Sequence, residues 1–101
     1  MSSDPHPDKW TFLTNHAQVL LRIARDSDVT LREVAADIGI TERATQRIAT
    51  DLVAAGFLQR ERRGRNNHYM INRDAMMRHA AQAGQQIGPL LDLLQPKDTP
   101  T

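Results

Sequence analysis

Arginine side chains are concentrated in the middle of this 101-residue chain. Seven arginines lie between Arg43 and Arg73, where only Asp51 and Glu61 oppose them, so this stretch carries a net charge of +5 while the whole chain carries +1. A guanidinium group donates hydrogen bonds in a fixed fork that matches phosphate groups and the edge of guanine. The stretch therefore predicts a surface that binds a polyanion. A general preference for arginine over lysine, which occurs only twice, is the alternative.

The first elements expected to position these arginines are two helices. One is predicted from the N-cap Thr14 to about Arg25. The next begins after Thr30, which has the capping-box spacing to Glu33, so that each side chain accepts a hydrogen bond from the other residue's backbone N–H. Its apolar residues recur at i, i+3, i+4 and i+7: Leu31, Val34, Ala35 and Ile38. Gly39 is expected to end it, because glycine adopts a positive φ at no steric cost.

A further helix is predicted over residues 42–55, with Thr41 as its N-cap and Gly56 as its stop. Its inner face is expected to carry Thr45, Ile48, Ala49 and Leu52. The opposite face carries no large apolar side chain and several polar ones of the types that contact base edges and phosphates. With the cap, the candidate binding residues of this helix are Thr41, Arg43, Ala44, Gln46, Arg47 and Thr50. An ion pair with Asp51, four residues further on, is the alternative role of Arg47.

A β-hairpin is predicted after this helix, because Phe57 and Leu58 lead into an arginine-rich segment with Gly64 in its middle. Its arms are expected at residues 59–62 and 67–72, with Tyr69 and Ile71 on one face.

The basic segment of this hairpin, residues 60–68, is predicted to contact phosphates or a minor groove, with residues 63–66 as its tip. The candidate contact residues are Arg62, Arg63, Arg65, Asn66 and Asn67. For Arg60 and Arg62, exposure on a solvated strand without a binding role is the alternative.

The C-terminal third is predicted to form helices that mediate dimerisation. One helix, capped by Asn72 or Asp74, is expected to continue through residue 83, and a short last helix is expected to begin at Pro89. Leucine covers most of the circumference of the last helix, so it requires cover from elsewhere. The predicted homodimer interface comprises Met76, Met77, Ala80, Ile87, Leu90, Leu91 and Leu94.

Residues 30–69 resemble the bacterial and archaeal winged helix-turn-helix regulators of the broad MarR- and ArsR-like kind. The matching stretch is TLREVAADIGITERATQRIATDLVAAGFLQRERRGRNNHY, and the preceding FLTNHAQVLLRIARD is similar to the first helix of these proteins. The resemblance implies a mainly α fold with a small β-hairpin: a winged helix-turn-helix with C-terminal helices for dimerisation. It also implies that the outward residues of the helix at 42–55 occupy the major groove, and that Arg63, Arg65 and Asn66 act from the wing.

Two features depart from that family. Thr45 occupies a position that is usually apolar, which implies either a slightly rotated helix or an internally bonded hydroxyl group. The chain also lacks the long flanking dimerisation helices of most MarR-type proteins, so a dimer would use its short C-terminal helices.

Several other classes of function are disfavoured. The chain has no cysteine, which excludes disulfides and thiolate metal sites, and its four histidines lack metal-ligand spacing. His16 is expected to pack or hydrogen-bond in the first helix. No phosphate-cradling loop, nucleophile motif or paired carboxylates indicate an enzyme, and no cofactor is predicted.

The sequence thus predicts a transcriptional regulator from a prokaryotic cytoplasm that binds double-stranded DNA as a homodimer, without a membrane segment. The predicted organisation is an N-terminal tail, a DNA-binding domain, a dimerisation segment and a C-terminal tail: residues 1–9, 10–73, 74–95 and 96–101. Two alternatives stay open. One is a winged-helix module that binds a protein. The other is a sensor whose small-molecule effector lies between Trp10, Phe12 and the C-terminal helices.

Overall fold

The computed structural model describes residues 11–95, except for the side chain of Asn66. It is a small, mainly helical domain with four α-helices, a two-stranded antiparallel hairpin and one 3-10 turn within those residues. In chain order these are α1 Asn15–Arg25, α2 Leu31–Ile38, α3 Glu42–Ala54, β1 Leu58–Arg63, β2 Asn66–Ile71, the 3-10 turn Ala80–Gln82 and α4 Ile87–Leu93. The predictions for both terminal tails and for Trp10 fall outside the described residues. No described helix is long and apolar enough to cross a membrane.

Threonine caps begin the first three helices, as the sequence predicts. The Oγ1 atoms of Thr14, Thr30 and Thr41 accept hydrogen bonds from backbone N–H groups three residues later, at 3.1, 3.1 and 3.0 Å. The capping box is complete, because the Thr30 N–H also donates to Glu33 Oε1 at 2.9 Å. Gly39 ends α2 with φ of 82°, in the left-handed region that glycine favours. These local signals fix where α2 stops and α3 starts.

The core lies between α1, α2, α3 and the inner face of the hairpin. The predicted inner face of α3 is confirmed, since Thr45, Ile48, Ala49 and Leu52 are all buried. Thr45 is fully buried, and its hydroxyl group donates to the Thr41 carbonyl at 2.9 Å. Of the two explanations open for this threonine, the internal hydrogen bond therefore holds. A buried hydroxyl group that is satisfied in this way avoids most of its desolvation cost.

The hairpin has a longer first strand and a smaller tip than predicted, and its second strand begins and ends one residue earlier. β1 and β2 pair in register from Leu58↔Ile71 to Arg63↔Asn66, so only Gly64 and Arg65 form the turn. Gly64 has φ of 63°, which a two-residue hairpin turn requires. Arg63 and Asn66 consequently belong to the strands. Tyr69 is buried and Ile71 half-buried on the same face, as expected.

The helix predicted through residue 83 is wrong. Residues 73–88 instead form an irregular antiparallel loop, in which Met77 N–H donates to the Gln85 carbonyl and Ile87 N–H to the Ala75 carbonyl, both at 2.8 Å. Ala75 and Met77 are half-buried while Met76 between them is exposed, a period of two rather than 3.6. Partners distant in sequence therefore satisfy the backbone groups that a helix would have satisfied internally. The last helix begins at Ile87, two residues before Pro89.

Part of the predicted dimer interface belongs to the core of the chain itself. Ile87 and Leu91 are 7% and 3% exposed, and Leu90 and Met77 are half-buried against the same core. Of the other predicted interface residues, Met76, Ala80 and Leu94 are exposed. Helix α4 is held in place by Arg73, whose Nη2 lies 2.6 Å from Asp92 Oδ2. The leucine-rich helix is covered on one side by its own domain.

Truncating Leu91 tests this assignment to the core. We expect Leu91→Ala to lower the free energy of unfolding by about 2–5 kcal/mol, because it leaves a cavity. Leu93→Ala, at a side chain that is 74% exposed, is the matched control and should change it by about 0.5 kcal/mol or less. Urea denaturation at the lowest practical protein concentration measures both. Equal effects would contradict the burial of Leu91.

Candidate nucleic-acid interface

The outer face of α3 consists of Arg43, Gln46, Arg47 and Thr50. All four are exposed, because the opposite side of the helix is buried against α1, α2 and β1. Ala44, predicted for the same face, is half-buried at its flank. Thr41 is exposed, but its hydroxyl group is already engaged as the cap of α3. The helix therefore presents two guanidinium groups one turn apart, about 6 Å along its axis.

The acidic neighbours of these arginines are engaged with other helices. His16 Nε2 on α1 lies 2.8 Å from Asp51 Oδ2, and Arg32 Nε on α2 lies 3.9 Å from Glu42 Oε1. The expected role of His16 within α1 is thus a contact with α3. Arg47 does not pair with Asp51, and among residues 11–95 neither Arg43 nor Arg47 makes an ion pair. Their positive charge on the outer face is not neutralised locally.

The hairpin arginines differ in their surroundings. Arg62 Nε donates to the Gly64 carbonyl at 3.3 Å, and Arg63 Nη2 lies 3.5 Å from Glu61 Oε1. Arg65 is exposed in the turn and has no ion pair within the described part of the chain. Asn67 is exposed, whereas the side chain of Asn66 is outside the description. Arg65 is accordingly the strongest of the predicted hairpin candidates.

A cleft separates α3 from the hairpin, and we call it the α3–hairpin cleft. It is lined by Leu31, Gln46, Thr50, Arg60, Asn67 and Tyr69. The guanidinium carbon of Arg60 lies 5.9 Å from the centroid of the Tyr69 ring, the residue opposite it in the hairpin register. The sequence predicts Tyr69 only on the same face as Ile71, and exposure on a solvated strand is one role that it leaves open for Arg60. Side chains alternate between the two faces of a strand, so Arg60 lies on the same face as Leu58. A two-residue turn at Gly64 and Arg65 then pairs Arg60 with Tyr69, and this was the signal that would have placed them together.

Long-range contacts attach the hairpin to the body of the domain. His68 Nδ1 lies 3.3 Å from Asp28 Oδ1 in the α1–α2 loop, and Asn72 Nδ2 donates to the Gly56 carbonyl at 3.0 Å. These bonds, with the packing of β1 on α3 and of β2 on α1, hold the hairpin against the body of the domain. Among residues 11–95, no three histidine or acidic side chains converge in a way that could hold a metal ion. Phe12, one side of the predicted effector site, is 89% exposed.

No protein-family model matches the sequence, and the comparison with curated proteins finds no match. The resemblance to winged helix-turn-helix regulators therefore stays a prediction.

Removing the cap of α3 tests how firmly the outer face is positioned. We expect Thr41→Ala to lower the free energy of unfolding by about 1 kcal/mol, because it leaves the Ala44 N–H without its partner. Thr50→Ala is the matched control, since Thr50 is exposed in the same helix, and it should change stability by about 0.5 kcal/mol or less. Thermal unfolding followed by circular dichroism would measure both, and a harmless Thr41→Ala would count against this role.

Proposed function

We propose that the protein is a sequence-specific regulator of transcription that binds double-stranded DNA as a winged helix-turn-helix. In this proposal α3 is the recognition helix in the major groove, and the hairpin is a wing on the flanking backbone or minor groove. The observation that carries the proposal is the outer face of α3, where Arg43 and Arg47 are exposed and free of ion pairs within residues 11–95. On a chain with a net charge of only +1, such a face is an electrostatic footprint for a polyanion.

The dimensions of α3 also support the proposal. Its 13 residues extend over about 20 Å, and the major groove of B-DNA is wide enough to admit an α-helix. Arginine forks bond to the N7 and O6 atoms of guanine, and glutamine amides bond to adenine. Arg43, Arg47 and Gln46 on the outer face therefore supply side chains for base recognition. The arginine at the hairpin turn, Arg65, supplies charge for phosphate contacts.

A homodimer is the proposed assembly. Three exposed apolar side chains lie in the C-terminal segment: Met76, Leu93 and Leu94 are 53%, 74% and 37% exposed. A second copy of the chain would remove such side chains from water. Two-fold symmetry would then place the two recognition helices about one helical turn of DNA apart, so the operator would be palindromic.

Alanine substitution of two arginines tests DNA binding. A duplex selected from a random pool serves as the operator, and binding is measured by fluorescence anisotropy across a salt series. We expect Arg47→Ala to weaken binding by about 10- to 100-fold, as for loss of a base contact worth 1–3 kcal/mol. Arg65→Ala should reduce the slope of log K against log salt by about 1, because it removes one phosphate contact.

Arg25→Ala is the matched control, since Arg25 is exposed at the end of α1 and does not line the α3–hairpin cleft. Arg25→Ala should leave the operator affinity and the salt slope near those of the wild type. If Arg47→Ala and Arg65→Ala both leave the operator affinity and the salt slope unchanged, the proposal that α3 and the hairpin contact DNA is refuted. Failure of the wild type to select any duplex would refute it too.

Introducing a charge at the most exposed leucine tests the homodimer. We expect Leu93→Glu to convert a dimer into a monomer in analytical ultracentrifugation, because a carboxylate would have to be buried in the interface. The thermal stability of the monomeric fold should change little, since Leu93 is 74% exposed. A wild-type chain that sediments as a monomer at every concentration would rule the dimer out.

A further inference from the structure

The α3–hairpin cleft is lined by hydrogen-bond donors and no acid. Besides Leu31, its described lining consists of two amides, two hydroxyl groups and one guanidinium group: Gln46, Asn67, Thr50, Tyr69 and Arg60. Glu42 lines an adjoining cleft, which shares Leu31, Asn67 and Tyr69 with this one and also contains Arg65. Its carboxylate lies 3.9 Å from Arg32. Such a set of groups favours an oxygen-rich anion and disfavours a cation.

Tyr69 is the most unusual member of this set. Its side chain is almost wholly buried, since the residue is only 4% exposed, yet its hydroxyl group makes no hydrogen bond within residues 11–95. The only sealed side-chain nitrogen or oxygen without a partner in the described chain is Arg22 Nη1, so the Tyr69 hydroxyl group keeps access to solvent. Water can therefore bond to this hydroxyl group in the free protein, and a ligand can take the place of that water. This hydroxyl group is a donor without a protein acceptor, on a side chain that lines the cleft.

Arg60 supplies the charge at the same place. It is the cross-strand partner of Tyr69, and its guanidinium carbon lies 5.9 Å from the ring centroid, just within the limit of about 6 Å for a cation–π contact. Arg60 makes no ion pair with another side chain among the described residues. The aromatic ring thus restricts the position of the guanidinium group without neutralising it. The cleft has a formal charge of about +1, with neutral donors around it.

We propose that the α3–hairpin cleft binds one phosphate group of the DNA backbone, with the Tyr69 hydroxyl group and the Arg60 guanidinium group as its donors. This inference rests on the proposed DNA binding and adds to it a specific phosphate site. A phosphodiester carries a single negative charge, which one guanidinium group balances, whereas free phosphate at neutral pH is partly in its doubly charged form. A helix in the major groove also has phosphates along its flanks, where this cleft opens beside the outer face of α3.

The experiment compares Tyr69→Phe and Arg60→Gln with the wild type on the selected operator. Tyr69→Phe retains the ring and removes only the hydroxyl group. It should weaken binding about tenfold, as for loss of a hydrogen bond to a charged group, and leave the salt slope unchanged. Arg60→Gln should lower that slope by about 1, because it removes a phosphate-bound cation. Arg25→Gln is the control with the same change of charge, and it should behave as the wild type.

Neutral methylphosphonate linkages, introduced one at a time into the operator, locate the phosphate. At one position per half-site, the neutral linkage should weaken operator binding by the wild type. The same linkage should weaken binding by Tyr69→Phe clearly less, since this variant already lacks the contact with that phosphate. Thermal unfolding confirms that the Tyr69→Phe domain is folded.

Each outcome separates the two proposals. Wild-type affinity in Tyr69→Phe and Arg60→Gln, with Arg47→Ala still impaired, would overturn the phosphate site and leave DNA binding intact. If the wild type binds no duplex, both the phosphate site and the DNA-binding proposal are overturned. Calorimetric titration with inorganic phosphate forms a third arm. Binding of inorganic phosphate that Tyr69→Phe abolishes, without any effect of that variant on DNA affinity, would assign the cleft to free phosphate and overturn the inference.

Discussion

The burial of one side of α3 is the constraint on which the rest of the structure depends. Thr45, Ile48, Ala49 and Leu52 face α1, α2 and β1, which fixes the rotation of the helix about its axis. The hydrogen bond from the Thr45 hydroxyl group to the Thr41 carbonyl allows a polar residue in that interior. Because the rotation is fixed, Arg43 and Arg47 point to solvent, and Gln46 and Thr50 lie toward the hairpin. The chemistry of the outer face follows from the packing of the inner one.

The acidic residues of α3 contact side chains of the neighbouring helices. Two acidic residues adjoin the arginines of α3, and in an isolated helix they would offset much of the positive charge. In the fold, Asp51 is paired with His16 of α1, and Glu42 is near Arg32 of α2. These surface pairs contribute little to stability, since exposed ion pairs are worth about 0–1 kcal/mol. Both acidic side chains are thus in contact with other helices, and Arg43 and Arg47 make no ion pair among residues 11–95.

The parts of this fold that local sequence signals determine were predicted correctly, and the parts that long-range contacts determine were not. Three threonine caps, the glycine at the end of α2 and the apolar stripes placed the first three helices correctly, because each depends on residues within one or two turns. The C-terminal segment was predicted wrongly, because the hydrogen bonds from Met77 to Gln85 and from Ile87 to Ala75 join residues eight and twelve positions apart, which no helical pattern indicates. The burial of Leu91 was also not predictable from local sequence, because it depends on contacts with residues of the core that are distant in the chain. At the candidate site, the exposed arginines were predictable, whereas the pairing of Arg60 with Tyr69 required the hairpin register.

The attachment of the hairpin has a consequence for how DNA would be discriminated. Its base is fixed by the burial of Tyr69, by the approach of His68 to Asp28 and by the bond from Asn72 to Gly56. The spacing between α3 and the hairpin is therefore set before any duplex arrives, and little conformational entropy is lost on binding. With α3 in the major groove as proposed, the distance between α3 and the hairpin would stay fixed when DNA binds. On this proposal, duplexes whose sequence gives a groove of matching width would bind without being deformed, and base pairs that no side chain touches would also contribute to selectivity.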